Sequence, residues 1–421
     1  MAVRTASILT PEFGWRGSPA LPSDCNASGR SLGWEELAAV RDALSSGVLS
    51  GGGGRWVSFL EQGFSSVLGT RYAFASASGS SAVQVAIAAI DPEPGDEIIV
   101  SPIADMDVLM PILYQGAVPM FADVDPLTGT LTADTIRGRI SARTRAVLVT
   151  HLFGQPCEMA PIMSLAAAHR LPVIEDCSQA LLAEAEGAYT GTLGLIGCFS
   201  LHQDRHLTCG EGGVVVTAND EVARRLSLCI NQAFEIGEER PDCRFLALQS
   251  RMTELQAAVA VAQLEKMQRL VTERMARAAQ LSAQLEEVPG ITLPRPPQGA
   301  RHSYWRFALR VHPDEVPGGA AALGELLAVR GVRGSPRCVS RPAFRHGVFS
   351  DQKTFGNSRY PFSLARPEAL DYRSERYPGT DRFLRDVLVV PLNERFADED
   401  VSRVAAVIRD SVAELRAGNA L

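Results

Sequence analysis

Strand-like and helix-like segments alternate along residues 72–230, and this alternation limits the possible folds more than any other feature of the sequence. Short apolar runs alternate with longer segments of helical periodicity. The helix-like segments lie near 81–90, 106–115, 133–140, 158–169 and 219–230, after a helix at about 55–68. The strand-like runs are YAFAS (72–76), EIIV (97–100), AVPMF (117–121), AVLVT (146–150), PVIED (172–176), GCFS (197–200) and GVVVT (213–217). This order predicts an α/β domain with a mostly parallel seven-stranded sheet.

The chain has 421 residues, which is enough for two or three domains. A stretch with few helix breakers at 253–287 predicts a long connecting helix, and the run LPRPPQGAR (293–301) then changes the composition. We therefore predict a large α/β domain over 1–288 and a smaller α+β domain over 289–421. In the smaller domain we expect a strand in YWRFALRV, helices near 319–330 and 398–416, and a Pro/Gly/Arg-rich segment at 333–380.

Charge and composition exclude several classes of protein. A formal net charge of -7 argues against a nucleic-acid-binding domain, which needs a basic surface. No apolar run is long enough for a transmembrane helix, and the first 15 residues lack the apolar core of a signal peptide. None of the eight cysteines forms a CxxC pair, so we expect reduced thiols in the cytoplasm and no structural zinc.

Small and polar residues follow three of the predicted strands, at the sheet edge where α/β proteins bind ligands. The segment ASGSSA (77–82) opens a helix, and its free amides suit a phosphate as well as an ordinary serine cap. Asp176 ends a buried strand and needs a partner, which is either a pyridinium nitrogen or nearby backbone amides. Ser200 precedes a GEGG turn at 210–213 and offers a further phosphate hydroxyl.

Other sequence features favour a structural role or exclude a class. His151 follows a strand and is interpreted as an interior histidine with satisfied hydrogen bonds. The sequence has no HExxH, P-loop or GxGxxG motif, so metalloprotease, P-loop NTPase and Rossmann dehydrogenase readings lack support. We expect no metal site.

These motifs occur in a fixed order, and together they resemble the DegT/StrS-type sugar aminotransferases. The resemblance covers most of residues 30–290 and, more weakly, the rest. It implies the aspartate aminotransferase fold (fold type I), pyridoxal phosphate (PLP) as cofactor, and a homodimer with active sites built from both subunits. The segments that carry it include SGSSAVQVAIAAIDPEPGDEIIVSP (78–102), VIEDCSQA (173–180), GCFSLHQDRHLTCGEGG (197–213) and SRMTELQAAVAVAQLEKM (250–267).

The resemblance also implies roles for individual residues. Gly79, Ser80 and Ser200 would hold the cofactor phosphate. Asp176 would pair with the pyridine nitrogen, and Gln179 would contact the 3-hydroxyl group of the ring.

The sequence departs from the family pattern at the residue that matters most for chemistry. The pattern Ser-Phe-His-x-x-Lys places the Schiff-base lysine five residues after the serine, where this chain has Arg205. A guanidinium has no nucleophilic amine and stays protonated, so it can neither form a Schiff base nor act as an ordinary base. Only Lys266 and Lys353 are lysines, and neither stands in the motif, although a substitute role for Lys353 is conceivable.

Two further departures lie at cofactor positions of the family. Met106 stands where many members have an aromatic residue that stacks on the ring. Gln249 stands where an asparagine commonly reaches the phosphate bound by the partner subunit. An engineered Lys-to-Arg change at Arg205, made to trap a complex, is a further reading of the sequence.

Two functions remain open from the sequence. The first is an enzyme that holds PLP or pyridoxamine phosphate (PMP) without a covalent bond and acts on a keto-sugar or cyclitol, possibly nucleotide-linked. Some family members, the sugar 3-dehydratases, use a histidine in place of the lysine. Here His202 and His206 flank Arg205, and His202 is the candidate base. The second is an inactive homologue that serves as a partner or scaffold subunit.

Overall fold

The structure is a computed structural model that describes residues 20–235, 242–336, 339 and 341–418. The predicted absence of a signal peptide concerns residues that lie outside this part of the chain. Cys338 also lies outside it. Within it, no helix is both long enough and apolar enough to cross a membrane.

A seven-stranded sheet forms the centre of the large domain, as the sequence predicted. The spatial order is β1-β9-β8-β5-β4-β2-β3, and only β9 runs antiparallel to its two neighbours. All other pairings in the sheet are parallel. The strands are β1 (Tyr72–Ser76), β2 (Glu97–Val100), β3 (Val118–Phe121), β4 (Thr144–Thr150), β5 (Val173–Asp176), β8 (Ile196–Ser200) and β9 (Gly213–Thr217), with a small hairpin of β6 (Glu184–Ala185) and β7 (Ala188–Tyr189).

Helices cover both faces of this sheet, because its strands alternate buried apolar side chains between the two faces. Helices α2 and α8 pack on one face of β1 and β9, and α3 and α7 pack on the other. The helices of this part of the chain are α1 (Trp34–Ser46), α2 (Trp56–Leu68), α3 (Gly79–Ala89), α4 (Met106–Tyr114), α5 (Ala133–Arg137), α6 (Met159–His169), α7 (Asp220–Ile230), α8 (Glu254–Leu264) and α9 (Met267–Leu285).

The single long helix predicted over 253–287 is two helices, since α8 ends at Leu264 and α9 begins at Met267. No proline or glycine marks the break, so the residue pattern alone could not show it. Lys266 lies at the junction, and its ammonium group binds Glu36 on α1 with Nζ–Oε1 2.7 Å. The turn in the chain thus coincides with a tertiary ion pair.

The small domain is built on a three-stranded antiparallel sheet, in the order β10-β11-β12. The second half of α9 packs into its core together with α10 and α13. The boundary after residue 288 stays a prediction, and the sequence missed β12. The elements are β10 (Ile291–Thr292), β11 (Phe307–Val311), β12 (Val387–Val390), α10 (Gly319–Val329), α11 (Gly347–Ser350), α12 (Pro378–Asp386) and α13 (Asp398–Arg416), with short 3-10 turns at 152–154, 343–345, 362–364, 367–370 and 374–376.

The segment between α10 and β12 returns to the large domain and contacts the end of β3 and the start of β2. Phe344 and Phe349 pack against Phe121, where β3 ends. Further on, Arg366 binds the Glu97 carboxylate with Nε–Oε1 2.6 Å, where β2 begins. The residues around 355–366 therefore lie at the edge of the sheet where β2 and β3 start.

Candidate active site

The ends of β5, β8 and β1 bring the predicted cofactor residues to one edge of the sheet. Asp176 is in register with Cys198 of β8, and Ser200 is in register with Gly213 of β9. Helix α3 begins directly behind this edge. A Cβ atom at Gly79 would lie 2.7 Å from Ser200 Oγ, so only glycine allows the helix start to approach Ser200 this closely.

The start of α3 offers unused donors beside Ser200. The Ser78 hydroxyl caps the helix by accepting the Ser81 amide N–H at 3.1 Å. The amides of Gly79 and Ser80 donate no hydrogen bond among the described residues. Free amides and hydroxyls at the positive end of a helix form a suitable cradle for a phosphate group.

Asp176 presents one occupied and one unoccupied oxygen. Its Oδ1 accepts hydrogen bonds from the Ser178 amide (3.0 Å) and hydroxyl (2.5 Å). In the part of the chain that the structure covers, no group donates a hydrogen bond to Oδ2. Asp176 as a residue is only 3% exposed, and Oδ2 is its oxygen that remains available to a cationic or N–H partner.

Gln179 links Asp176's neighbourhood to two other loops. Its side-chain oxygen Oε1 accepts the Phe153 amide N–H at 2.7 Å, and its side-chain nitrogen Nε2 donates to Asp105 Oδ2 at 3.2 Å. Asp105 is the residue just before α4, and Met106 is the first residue of that helix. The sequence reasoning did not assign Asp105 a role.

Arg205 lies in this group, buried and 8% exposed. Its Nη2 donates to Asp105 Oδ2 at 3.3 Å, and its guanidinium carbon lies 4.4 Å from the centre of the Trp305 ring. Nε and Nη1 are buried without a hydrogen-bond partner among the described residues, but Nε lies 3.8 Å from Asp204 Oδ1 in an ion pair, and the indole face lies next to the guanidinium. Arg205 therefore sits beside an aromatic ring and between two carboxylates.

A buried network of charges fixes the loop that carries Arg205. Arg30 donates to the Arg205 carbonyl oxygen at 2.8 Å. Arg274, fully buried, binds Glu394 at 2.6 Å and Asp24 at 3.3 Å. This network joins the N-terminal segment, α9 and the small domain directly behind the site. Its members are far apart in the sequence, so no local motif predicts the network.

The histidines near Arg205 have different surroundings. His206 is buried, and burial together with nearby arginines lowers the pKa of its ring well below the usual value, so the ring is neutral. Its Nε2 donates to the Ser303 carbonyl oxygen at 2.9 Å. His202 is 47% exposed and binds Asp204 at 2.9 Å. The role of His202 as a base stays a prediction.

His151 has the interior hydrogen bonds expected of it. Its Nδ1 accepts the Cys157 amide N–H at 3.0 Å, and its Nε2 lies 3.0 Å from Glu175 Oε2. Cys177 lies close enough for these three side chains to resemble a metal site. Glu175, however, already accepts the amides of Gly191, Leu193 and Gly194. The cluster is thus held together by hydrogen bonds of its own.

Gln249 and both lysines lie outside the group of residues around Asp176. Gln249 is exposed and pairs through its backbone with Asn231. Lys353 is exposed near residues 355–366, at the start of β2 and β3, and Lys266 is bound to α1. Within one chain, neither ammonium group lies beside Asp176.

Comparisons with known proteins agree with this geometry. The profile of the DegT/DnrJ/EryC1/StrS aminotransferase family matches residues 30–409. The chain belongs to this family. The match confirms the relationship to PLP-dependent, transaminase-type enzymes that the sequence indicated, and the likeness to solved structures confirms the fold class.

Individual relatives cover much of the chain. GDP-perosamine synthase of Caulobacter vibrioides is 32% identical over 263 residues, 61% of this chain and 70% of the relative. The UDP-N-acetyl-3-dehydro-alpha-D-glucosamine 3-aminotransferase of Acidithiobacillus ferrooxidans is 29% identical over 351 residues, 83% of this chain and 87% of the relative. The aminotransferase from Psychrobacter cryohalolentis superposes with a TM-score of 0.82 at 26% identity, covering 92% of this chain and 98% of that one.

Proposed function

We propose that this family member binds PLP or PMP without a covalent bond and acts on a keto-sugar or cyclitol, possibly nucleotide-linked. The observation that carries the proposal is the position of Arg205, buried beside Asp105 and Gln179 at the sheet edge, while both lysines lie elsewhere. The chemistry would be lysine-independent, either a dehydration or an atypical amine transfer. The proposed setting is secondary-metabolite or surface-sugar biosynthesis in the cytoplasm.

The donor set of the site fits the cofactor. The free amides of Gly79 and Ser80 and the Ser200 hydroxyl suit a phosphate, and the open Oδ2 of Asp176 suits a protonated ring nitrogen. Met106 would lie against the ring. When bound, PLP or PMP supplies a ring that stabilises negative charge on the adjacent substrate carbon.

Arg205 would act by charge and position. A planar guanidinium binds carboxylate or phosphate oxygens strongly, and Nη2 is the nitrogen that already binds Asp105. The stacking on Trp305 and the bond from Arg30 to its carbonyl oxygen hold the side chain in place. We therefore assign Arg205 to orienting an anionic group of the substrate or cofactor.

We also propose that the working form is a homodimer. Apolar side chains stand exposed close to Gln249, the residue predicted to reach the partner's site: Leu246 is 96% exposed and Leu248 is 64% exposed. Trp34 on α1 is 69% exposed. Exposed apolar groups in such numbers are typical of a surface that is covered in an assembly.

Calorimetric titration with PLP and with PMP tests the proposal. We expect saturable binding of at least one form, with no adduct found by mass spectrometry after borohydride reduction. The variant Arg205→Lys should gain a borohydride-stable PLP adduct at position 205, because a lysine there would face the cofactor aldehyde.

Two outcomes would count against this function. Binding by Arg205→Lys without an adduct would show that residue 205 does not face the cofactor. If neither PLP nor PMP binds the natural chain, the alternative of a non-catalytic partner or scaffold subunit replaces the enzyme.

A further inference from the structure

Asp105 occupies a helix-capping position but does not cap the helix. An aspartate just before a helix usually accepts a hydrogen bond from an amide of the first turn. Asp105 precedes α4 in this way, and its side chain makes no such bond. Its Oδ2 instead accepts from Gln179 and from Arg205, at 3.2 and 3.3 Å. The carboxylate is thus used by the site and not by its own helix.

The other oxygen of Asp105 is available to a bound molecule. Its side chain is 39% exposed, and no described residue donates a hydrogen bond to Oδ1. Asp105 lines a cavity of about 220 Å³ together with Met106 and with Arg341 and His346, which lie between α10 and β12. The cavity is therefore lined by one carboxylate, from Asp105, and one guanidinium, from Arg341.

The charged groups around Asp105 act in opposite directions. Partial burial raises the pKa of its carboxyl group, Arg205 lowers it, Asp176 raises it again and the hydrogen bond from Gln179 lowers it, with a net increase above the usual value. Arg341 and His346 line the same cavity, and burial together with Arg341 lowers the pKa of the His346 ring, which is therefore neutral at neutral pH. A carboxyl group with a raised pKa takes up and releases protons closer to neutral pH, which suits a general acid–base.

We propose that Asp105 is the proton-transferring group of this site, in a role that Arg205 cannot fill; the inference rests on the proposed function. Oδ1 accepts a proton from a C–H group of the substrate, so that a C–H bond breaks and an O–H bond forms. The electron pair stays with the molecule in the cavity, and the same proton is later returned. The guanidinium of Arg341 makes a sugar with an anionic substituent, such as a nucleotide-linked sugar, the fitting substrate class.

The test compares Asp105→Asn with Asp107→Asn, an exposed aspartate two residues further along the chain, in the first turn of α4. Calorimetry of PMP binding in two buffers of different ionisation enthalpy counts the protons exchanged on binding. We expect Asp105→Asn to keep PMP affinity within about tenfold, because the amide oxygen still accepts a hydrogen bond, but to lose the proton exchange and its pH dependence. Asp107→Asn should match the natural chain.

Asp105→Glu is the second variant, and it should restore part of the proton exchange because it restores a carboxyl group. Thermal unfolding of each variant, measured first, separates loss of fold from loss of the proton. An unchanged proton count and pH profile in Asp105→Asn would overturn the role of Asp105 while leaving the proposed function intact. Failure of PMP and PLP to bind any variant or the natural chain would instead overturn the proposed function.

Discussion

Glu175 and Asp176 are consecutive residues of β5, both almost fully buried, yet they lie in two very different regions. Glu175 accepts three backbone amides and the His151 ring. Asp176 has only Ser178 as a donor, and its second oxygen has no donor among the described residues. Successive side chains of a strand point to opposite faces of a sheet. One peptide unit therefore separates a closed group, whose carboxylate oxygens both accept hydrogen bonds, from an open group, in which one oxygen has no donor among the described residues.

This comparison shows which buried carboxylate has capacity for a ligand. A buried carboxylate that already accepts four hydrogen bonds has no free lone pair in a useful direction, and it serves the fold. A carboxylate with an unused oxygen lacks one of the hydrogen bonds that offset its desolvation, and a ligand can supply that bond. The predictions below test this difference from the largest effect to the smallest.

Glu175→Gln should destabilise the fold strongly. The new amide N–H2 would face backbone N–H groups, so at least one buried donor loses its acceptor. We expect a loss of about 3–5 kcal/mol in the free energy of unfolding, typical of breaking a buried charged interaction. Urea denaturation measures it. Asp176→Asn is the matched control and should cost less than about 1 kcal/mol; equal losses in the two variants would contradict the comparison.

Asp176→Ala should leave the fold stable and weaken the binding of PMP about 100-fold, because a hydrogen bond to a charged group is worth about 1.5–3 kcal/mol. Calorimetric titration gives the affinity. Ser178→Ala, which removes one donor to Oδ1 but keeps the open Oδ2, should weaken binding by less than about tenfold. A larger effect from Ser178→Ala would mean that Oδ2 is not the oxygen that binds the ring.

The buried histidine His302 should make the free energy of unfolding depend on pH. His302 is fully buried, and burial lowers the pKa of its ring to about 3, so the folded protein keeps it neutral. The unfolded chain binds the proton below about pH 6.5, so stability should fall as pH drops from 6.5 towards 3, by about 1.4 kcal/mol per pH unit. His302→Gln should flatten this part of the curve of unfolding free energy against pH; an unchanged slope would show that other groups cause it.

Trp305→Leu should have the smallest effect. It removes the ring on which Arg205 and Arg306 both stack and the indole N–H that donates to the Asp204 carbonyl oxygen at 2.7 Å, and it leaves the Arg205–Asp105 hydrogen bond in place. Each cation–π contact is worth about 0.5–1 kcal/mol and the hydrogen bond about 1 kcal/mol, so we expect a total loss of about 2 kcal/mol. Urea denaturation should show this loss, and Trp34→Leu, an exposed tryptophan on α1, is the control. Equal effects of the two substitutions would mean that the stacking does not stabilise Arg205.

Much of the large domain was predictable because its signals are local. Each strand of the main sheet is a short apolar run, and the order of strands and helices already favours parallel pairing. The positions of Asp176, Ser200 and Gly79 at one edge follow from that topology. The break between α8 and α9 and strand β12 were missed, since both depend on contacts with distant segments.

Asp105 shows the limit of sequence reasoning at the site. An aspartate before a helix is ordinarily a cap, and nothing in its neighbours reveals that its side chain turns towards Gln179 and Arg205. The ion-pair network of Arg274, Asp24 and Glu394 could not be predicted from the sequence either, because its members are separated by more than 100 residues.

The sequence by itself determined the α/β fold, the family, and the presence of arginine at position 205, where the family pattern has lysine. Periodicity and motif order carry that information, since they act over short stretches of chain. Only the tertiary structure decided which polar groups are closed and which are open. That property depends on how many donors the folded chain brings to each oxygen, and distant segments supply those donors. The same dependence separates Glu175 from Asp176, and it placed Asp105 in the site.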